Sequence, residues 1–231
     1  MNEHFPTLAP QEYGVLSAGT PIMEKNLSYS MWYQGVLGLC YCRVDWDAYV
    51  EGTVRKWEVL AAHGAAGVLG VEAAEGYVEA RAAGVQTLRL TFDEALDTAT
   101  VGPAAIGIVG QTHGDCSSLV SAASLDGSGK VLTVQLRSKL EDGDRYTVTV
   151  ADSVRTVGGR ALAGNRTRQI GALAGDVNRS GQVTAGDLLA VRARVGQAVT
   201  ASNAGYDVDG SGTVSGSDIL LVRHFLGDSL P

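Results

Sequence analysis

The sequence predicts a two-sheet, all-β sandwich over residues 64–172, followed by a small all-α module over residues 173–231; residues 1–63 stay unassigned. Three observations carry this division. Short runs between Gly64 and Gly171 alternate apolar and polar residues. Glycine-rich turns separate those runs. The last fifty-odd residues contain one loop–helix pattern written twice.

The N-terminal segment, 1–63, concentrates the aromatic residues: all three tryptophans and five of the eight tyrosines. Val54 to Ala62 reads as a short helix, with Val54, Trp57 and Leu60 or Ala61 on one side. The segment is either an incomplete piece of a domain or a poorly ordered lead-in. Its most apolar run, Met31 to Cys42, is interrupted by Gln34 and Gly35. A membrane span needs about twenty apolar residues, so none is expected. The start shows no basic leader before an apolar core, so no secretory signal is expected either. Cys40, Cys42 and Cys116 are odd in number and lie at no zinc spacing, which reads as buried or idle thiols.

Strand texture begins after Gly64. Tyr77–Arg81, Thr87–Phe92, Val131–Leu136 and Arg145–Val150 all alternate. In the second run Leu88, Leu90 and Phe92 face a core; in the fourth, Tyr146, Val148 and Val150 point one way. Asp126-Gly-Ser-Gly129 and Glu141-Asp-Gly-Asp144 carry turn chemistry between runs. Gly64, Gly67 and Gly70 do not follow a strand and open a helix in the phosphate-binding pattern. His113 and Cys116 lie in a loop-like stretch without an orienting third group, so no nucleophile is assigned. Phe92-Asp-Glu-Ala-Leu-Asp97, Leu132-Thr-Val134, Leu140-Glu-Asp-Gly-Asp-Arg-Tyr-Thr-Val-Thr-Val150 and Gly164-Asn165 follow one another in the order seen in bacterial immunoglobulin-like modules, which this region resembles. The resemblance implies an immunoglobulin-like sandwich acting as a spacer, and fold alone does not assign function.

The repeat pairs Asp176-Val-Asn-Arg-Ser-Gly-Gln-Val-Thr-Ala-Gly-Asp187 with Asp207-Val-Asp-Gly-Ser-Gly-Thr-Val-Ser-Gly-Ser-Asp218 at an offset of 31 residues. Calcium explains the composition. It is a hard cation that takes about six to eight oxygens, drawn in a twelve-residue loop from positions 1, 3, 5, 7, 9 and 12. The first loop offers Asp176, Asn178, Ser180, the Gln182 carbonyl, Thr184 and Asp187. The second offers Asp207, Asp209, Ser211, the Thr213 carbonyl, Ser215 and Asp218. Position 6 is Gly181 and Gly212, where the chain turns around the ion. Val183 and Val214 at position 8 are expected to tie the two loops together by packing and short strand-like pairing. Asp187 and Asp218 fall at helix starts, where a carboxylate is favoured. An ordinary Asx turn accounts for a single such loop, but not for two full-length copies each followed by the same amphipathic run. The second loop carries three carboxylates; the first carries two and places Arg179 beside the ion, so the second is expected to bind more tightly. Leu188, Val191 and Val195, and Ile219, Val222 and Phe225 or Leu226, form the core stripes of the two helices.

Loop plus following helix, twice, with no helix ahead of either loop, resembles the type I dockerin, an EF-hand-like fold. The resemblance implies two bound Ca2+ ions and a cohesin-type protein partner. It also implies partner contacts at loop positions 10 and 11 and along each helix: Ala185, Gly186, Arg192 and Ala193 in the first repeat, and Gly216, Ser217, Arg223 and His224 in the second. Hydroxyl residues are usual at positions 10 and 11, and Ala185 and Gly186 depart from that pattern. The solvated helix face is the plainer reading of Arg192 and Arg223.

With a net charge of −7, the chain is not expected to bind nucleic acid or anionic membranes. A monomeric, non-catalytic adhesion or assembly protein is the leading expectation, extracellular or at the cell surface. One alternative is the C-terminal fragment of a polysaccharide-degrading enzyme. Sixty residues hold no glycosidase site with two placed carboxylates. Another is a calcium-stabilised surface protein without a cohesin.

Overall fold

Alternation does build the sandwich. In β4 (Thr87–Phe92), Leu88, Leu90 and Phe92 are buried while Thr87, Arg89 and Thr91 are half-exposed. In β9 (Asp144–Val150), Tyr146, Val148 and Val150 are fully buried. The structure, a computed structural model, describes residues 52–231. Among these, eleven strands form two sheets. The first runs β10 (Leu162–Ala163), β1 (Gly52–Ala62), β4, β8 (Val131–Leu136), β7 (Val120–Leu125), with β2 (Val68–Glu72) also paired to β1. The second runs β3 (Val78–Glu79), β11 (Thr167–Ala172), β9, β5 (Ile106–Gly110), β6 (Gly114–Asp115). No helix among the described residues is long and apolar enough to cross a membrane. The expectations for Met31–Cys42 and for Cys40 and Cys42 lie outside the described residues.

The helix expected over Val54–Ala62 is instead the strand β1, antiparallel to β4. The cause is a register shift between Val54 and Lys56. A bulge inserts one residue and moves the inward face by one place, so Val54 and Trp57 stand three apart as on a helix. Beyond it the strand period returns, and Trp57, Val59 and Ala61 are buried. The first sheet therefore includes residues ahead of position 64, where the sandwich was expected to begin.

The strand expected over Tyr77–Arg81 pairs with β11 only at Val78 and Glu79. All five of its residues are buried, at 1–3 % exposure. One side is covered by the sandwich and the other by the C-terminal module. Here the Gly175 amide donates to the Ala80 carbonyl (2.8 Å) and the Ala82 amide to the Val208 carbonyl (2.9 Å). No linker intervenes, because β11 passes through Leu173, itself fully buried, straight into the first loop. A single apolar core runs from Leu88 and Ile170 of the sandwich to Val183, Val191, Val214 and Val222 of the module.

Two helices follow, α1 (Ala185–Arg192) and α2 (Gly216–His224). Val191 and Val222 fill their buried faces. Val195, expected in the stripe of α1, is 48 % exposed, because the helix has ended three residues earlier. The valines at position 8 do not pair with one another. Val183 exchanges backbone hydrogen bonds with Asp228 and Gly227, beyond α2; Val214 does so with Gln197 and Gly196, beyond α1. Each loop is thus clasped by the chain leaving the other repeat's helix.

Candidate metal centre

Each loop closes on its first and last carboxylates, which are fully buried: Asp176 and Asp187, Asp207 and Asp218. In the first loop Asp176 accepts the Ser180 and Gly181 amides at 2.9 and 2.7 Å. In the second Asp207 accepts those of Ser211 and Gly212 at 3.0 and 2.9 Å. Asp187 joins the two ends of its loop, accepting from the Asn178 amide at 3.0 Å and the Thr184 amide at 2.9 Å. Asp218 does the same with Asp209 and Ser215, at 3.0 and 2.7 Å. These last bonds are halves of capping boxes, with Thr184 and Ser215 as the N-caps. One carboxylate thereby shapes the loop and starts the helix.

The remaining donors gather at the same place. Asn178 and Asp209 each accept an amide of their own loop through Oδ1. The Ser180 and Ser211 hydroxyls donate to the Gln182 and Thr213 carbonyls at 2.9 and 3.2 Å. Asp207, Asp209 and Asp218 bring carboxylate oxygens within 4.8 Å of one another. Burial pushes Asp176 and Asp218 above the usual carboxylate range, and neighbouring carboxylates push the same way. At Asp209 burial acts in that direction too, but hydrogen bonds from Ser217 and Ser211 outweigh it and hold the group low. All-oxygen sets whose first and last carboxylates are buried, with the donors between them at the surface, suit a hard divalent cation.

Arg179 does not point at its loop. Its guanidinium stacks on the Tyr77 ring, 4.7 Å from the centroid. Its backbone is left-handed, with φ of 61°; the equivalent Gly210 adopts φ of 71° without a Cβ penalty.

Residues 174–227 match the dockerin type I domain. Residues 70–170 match a bacterial Ig-like domain, so the two modules occur in the order the sequence implied. Dockerin domains bind calcium, and a dockerin implies calcium-dependent assembly with a cohesin. Both matched domains are non-catalytic modules. No curated protein matches the chain. Among solved structures, the S-layer protein rSbsC(31-844) is 18 % identical with a TM-score of 0.39, over 55 % of this chain and 14 % of that one. Escherichia coli alpha-2-macroglobulin spanning MG0-NIE-MG1 is 18 % identical with a TM-score of 0.34, over 54 % of this chain and 33 % of that one. CopC from Methylosinus trichosporium OB3b is 17 % identical with a TM-score of 0.31, over 50 % of this chain and 94 % of that one.

On the dockerin, all eight residues implied for partner contact are exposed: Ala185, Gly186, Arg192, Ala193, Gly216, Ser217, Arg223 and His224. Ser217 is partly engaged, since its hydroxyl donates to Asp209. Sequence reasoning missed Leu189 and Leu220, which are 64 % and 65 % exposed. They stand 31 residues apart at one place in the repeat, off the buried stripe of Val191 and Val222. That shared position is the signal that identifies them. His113 is held by Asp144, Nδ1 to Oδ2 at 2.8 Å, and burial raises the Cys116 thiol above its usual range, so the pair forms no activated nucleophile.

Proposed function

We propose that this chain is a calcium-dependent attachment protein: its dockerin holds two Ca2+ ions and binds a cohesin domain through exposed residues of α1 and α2, with the Ig-like sandwich as its mount. The observation that carries the reading is the pair of loops with matching hydrogen bonds, each closing buried carboxylates onto the capping box of the helix that bears the exposed face. The ligands are Asp176, Asn178, Ser180, Gln182, Thr184 and Asp187, and Asp207, Asp209, Ser211, Thr213, Ser215 and Asp218. Calcium when bound neutralises the carboxylates; the chain's own part is to present them and to start each helix from the same loop. Arg192 and Arg223 offer charge to the partner, and Leu189 and Leu220 offer apolar area beside them. A boundary near residue 173 divides the two modules, and an extracellular or cell-surface setting supplies the calcium.

Capture of the chain on immobilised cohesin domains, with calcium and with excess chelator, tests the reading. Retention in calcium, release by chelator, and loss of retention in the Leu189→Asp, Leu220→Asp double variant are expected. Binding that ignores chelator, or that survives both substitutions, contradicts it.

The two sites are expected to differ. The second loop has one more carboxylate and needs no non-glycine residue in the left-handed region. Calorimetry on Asp176→Ala, which keeps the second site, and on Asp207→Ala, which keeps the first, should show the second tighter on the order of tenfold. Equal affinities would refute the charge argument.

A further inference from the structure

The second loop is backed by a buried polar chain that starts in the sandwich. His63 follows β1 and is fully buried. Its Nδ1 lies 2.6 Å from Asp207 Oδ2, across 144 residues of sequence. Its Nε2 lies 3.2 Å from Arg81 Nη1. A guanidinium only donates, so Nε2 accepts and the imidazole proton sits on Nδ1, directed at Asp207. Arg81 is 1 % exposed. Its Nε donates to Glu79 Oε1 at 2.6 Å, and Nη2 reaches the Val59 carbonyl at 3.1 Å. Glu79 in turn accepts the Arg81 amide at 2.9 Å and the Tyr77 hydroxyl at 2.8 Å.

Two features separate this chain of bonds from ordinary core packing. A buried ion pair is a poor source of stability, and apolar residues of similar volume commonly serve as well. Here the pair ends on an imidazole whose remaining proton goes to a loop carboxylate. The second feature is the asymmetry of the repeat. Asp176 and Asp207 share the same set of loop amides, yet among the described residues only Asp207 has an imidazole partner. The contact is added from outside the dockerin.

We infer that His63, although it belongs to the Ig-like sandwich, is a positioning residue of the second calcium site, held by Arg81 and Glu79 so that it orients Asp207. The inference rests on the calcium reading above. It makes the sandwich part of the site rather than only its mount: a dockerin without this sandwich would bind its second ion with a freer first ligand. Partners that orient metal ligands typically change affinity about 10–100-fold when lost.

Calcium uptake by the full chain tests this. Three proteins are compared in the Asp176→Ala background, where only the second site remains: unaltered at 63, His63→Leu and His63→Asn. Leucine removes the donor to Asp207 and the acceptor for Arg81. Asparagine also loses the acceptor for Arg81, but its Nδ2 stands as many bonds from Cβ as the histidine Nδ1 and restores the donor. The difference between them isolates the Asp207 bond from damage to the sandwich. We expect His63→Leu to weaken uptake about 10–100-fold and His63→Asn to stay within about threefold of the parent. In the Asp207→Ala background, which reports the first site, both should match their parent. Equal losses in the leucine and asparagine variants, a leucine variant that binds like its parent, or equal weakening at both sites would overturn the inference. Failure of the otherwise unaltered chain to take up calcium at all would overturn the calcium assignment, and the inference with it.

Discussion

Excess chelator should strip hydrogen-exchange protection from α1 and α2 while the amides of β4, β8 and β9 keep theirs. The module's buried side chains are mostly valines: Val177, Val183, Val191, Val208, Val214 and Val222. Their burial is modest for some fifty residues of ordered backbone, and a module this small depends on its ions. Against it stand four fully buried carboxylates whose partners are amides, hydroxyls and one imidazole. An ion present at about 1,000 times its Kd contributes about 4 kcal/mol per site. Removing the two proposed ions from one module therefore exceeds what its small share of the core offsets. The sandwich holds the larger share of the common core, with Trp57, Leu88, Leu90, Ile108, Leu132 and Tyr146, and persists. Unchanged protection of both helices in chelator would contradict the prediction.

Acidity gives the same prediction a sign. Burial, aided by neighbouring carboxylates, raises Asp176 and Asp218 in the ion-free fold. A raised group stabilises the fold while protonated. That contribution is fully present below the unfolded value, about 3.9, and is lost as pH rises through the folded value. These two groups should therefore make the chelated module weaken as pH rises through their folded values, while Asp209, Asp144 and Asp93, held low, contribute with the opposite sign. With calcium the sign reverses, because protons then compete with the ion for the same oxygens. The gap between the melting temperatures in calcium and in chelator should therefore widen as pH rises above about 4; a gap that stays constant would refute the linkage.

The second large effect is expected from Gly64→Ala. Gly64 follows His63 with φ of +47°, and a Cβ there would stand 2.1 Å from the Ser211 carbonyl oxygen. Backbone meets backbone, so no rotamer change relieves the overlap. Gly212 approaches from the other side, where a Cβ would lie 2.6 Å from the His63 carbonyl oxygen. The sandwich and the second loop touch main chain to main chain, and separating them also pulls His63 from Asp207. Gly76 supplies the control: φ is +73° in the turn closed by the Tyr77 amide on the Ala74 carbonyl, and no atom lies within 4 Å of its Cβ position. Gly76→Ala should cost about 1 kcal/mol of backbone strain, lowering the melting temperature by about 2–4 °C for a chain of this size. Gly64→Ala should cost about 3 kcal/mol or more and weaken calcium at the second site while sparing the first. Equal shifts in the two variants would show that the close approach does not matter.

What sequence alone determined is local. The proposed ligands of each loop lie within twelve consecutive residues, so their spacing is printed in the chain, and the 31-residue offset shows the second copy. The strands with one buried face, β4, β8 and β9, were legible because alternation directly records which side meets the core. Tertiary structure decided the rest. β1 carries a bulge, and its shifted period imitates a helix until β4 is seen beside it. Tyr77–Arg81 reads as an alternating strand, yet its polar residues Glu79 and Arg81 are buried as well, because the dockerin covers that side. His63 carries no local pattern at all, since its partner is 144 residues away. A periodicity reports one neighbouring surface, whereas a contact between modules is set by where two folded surfaces meet, and no stretch of either chain segment encodes that by itself.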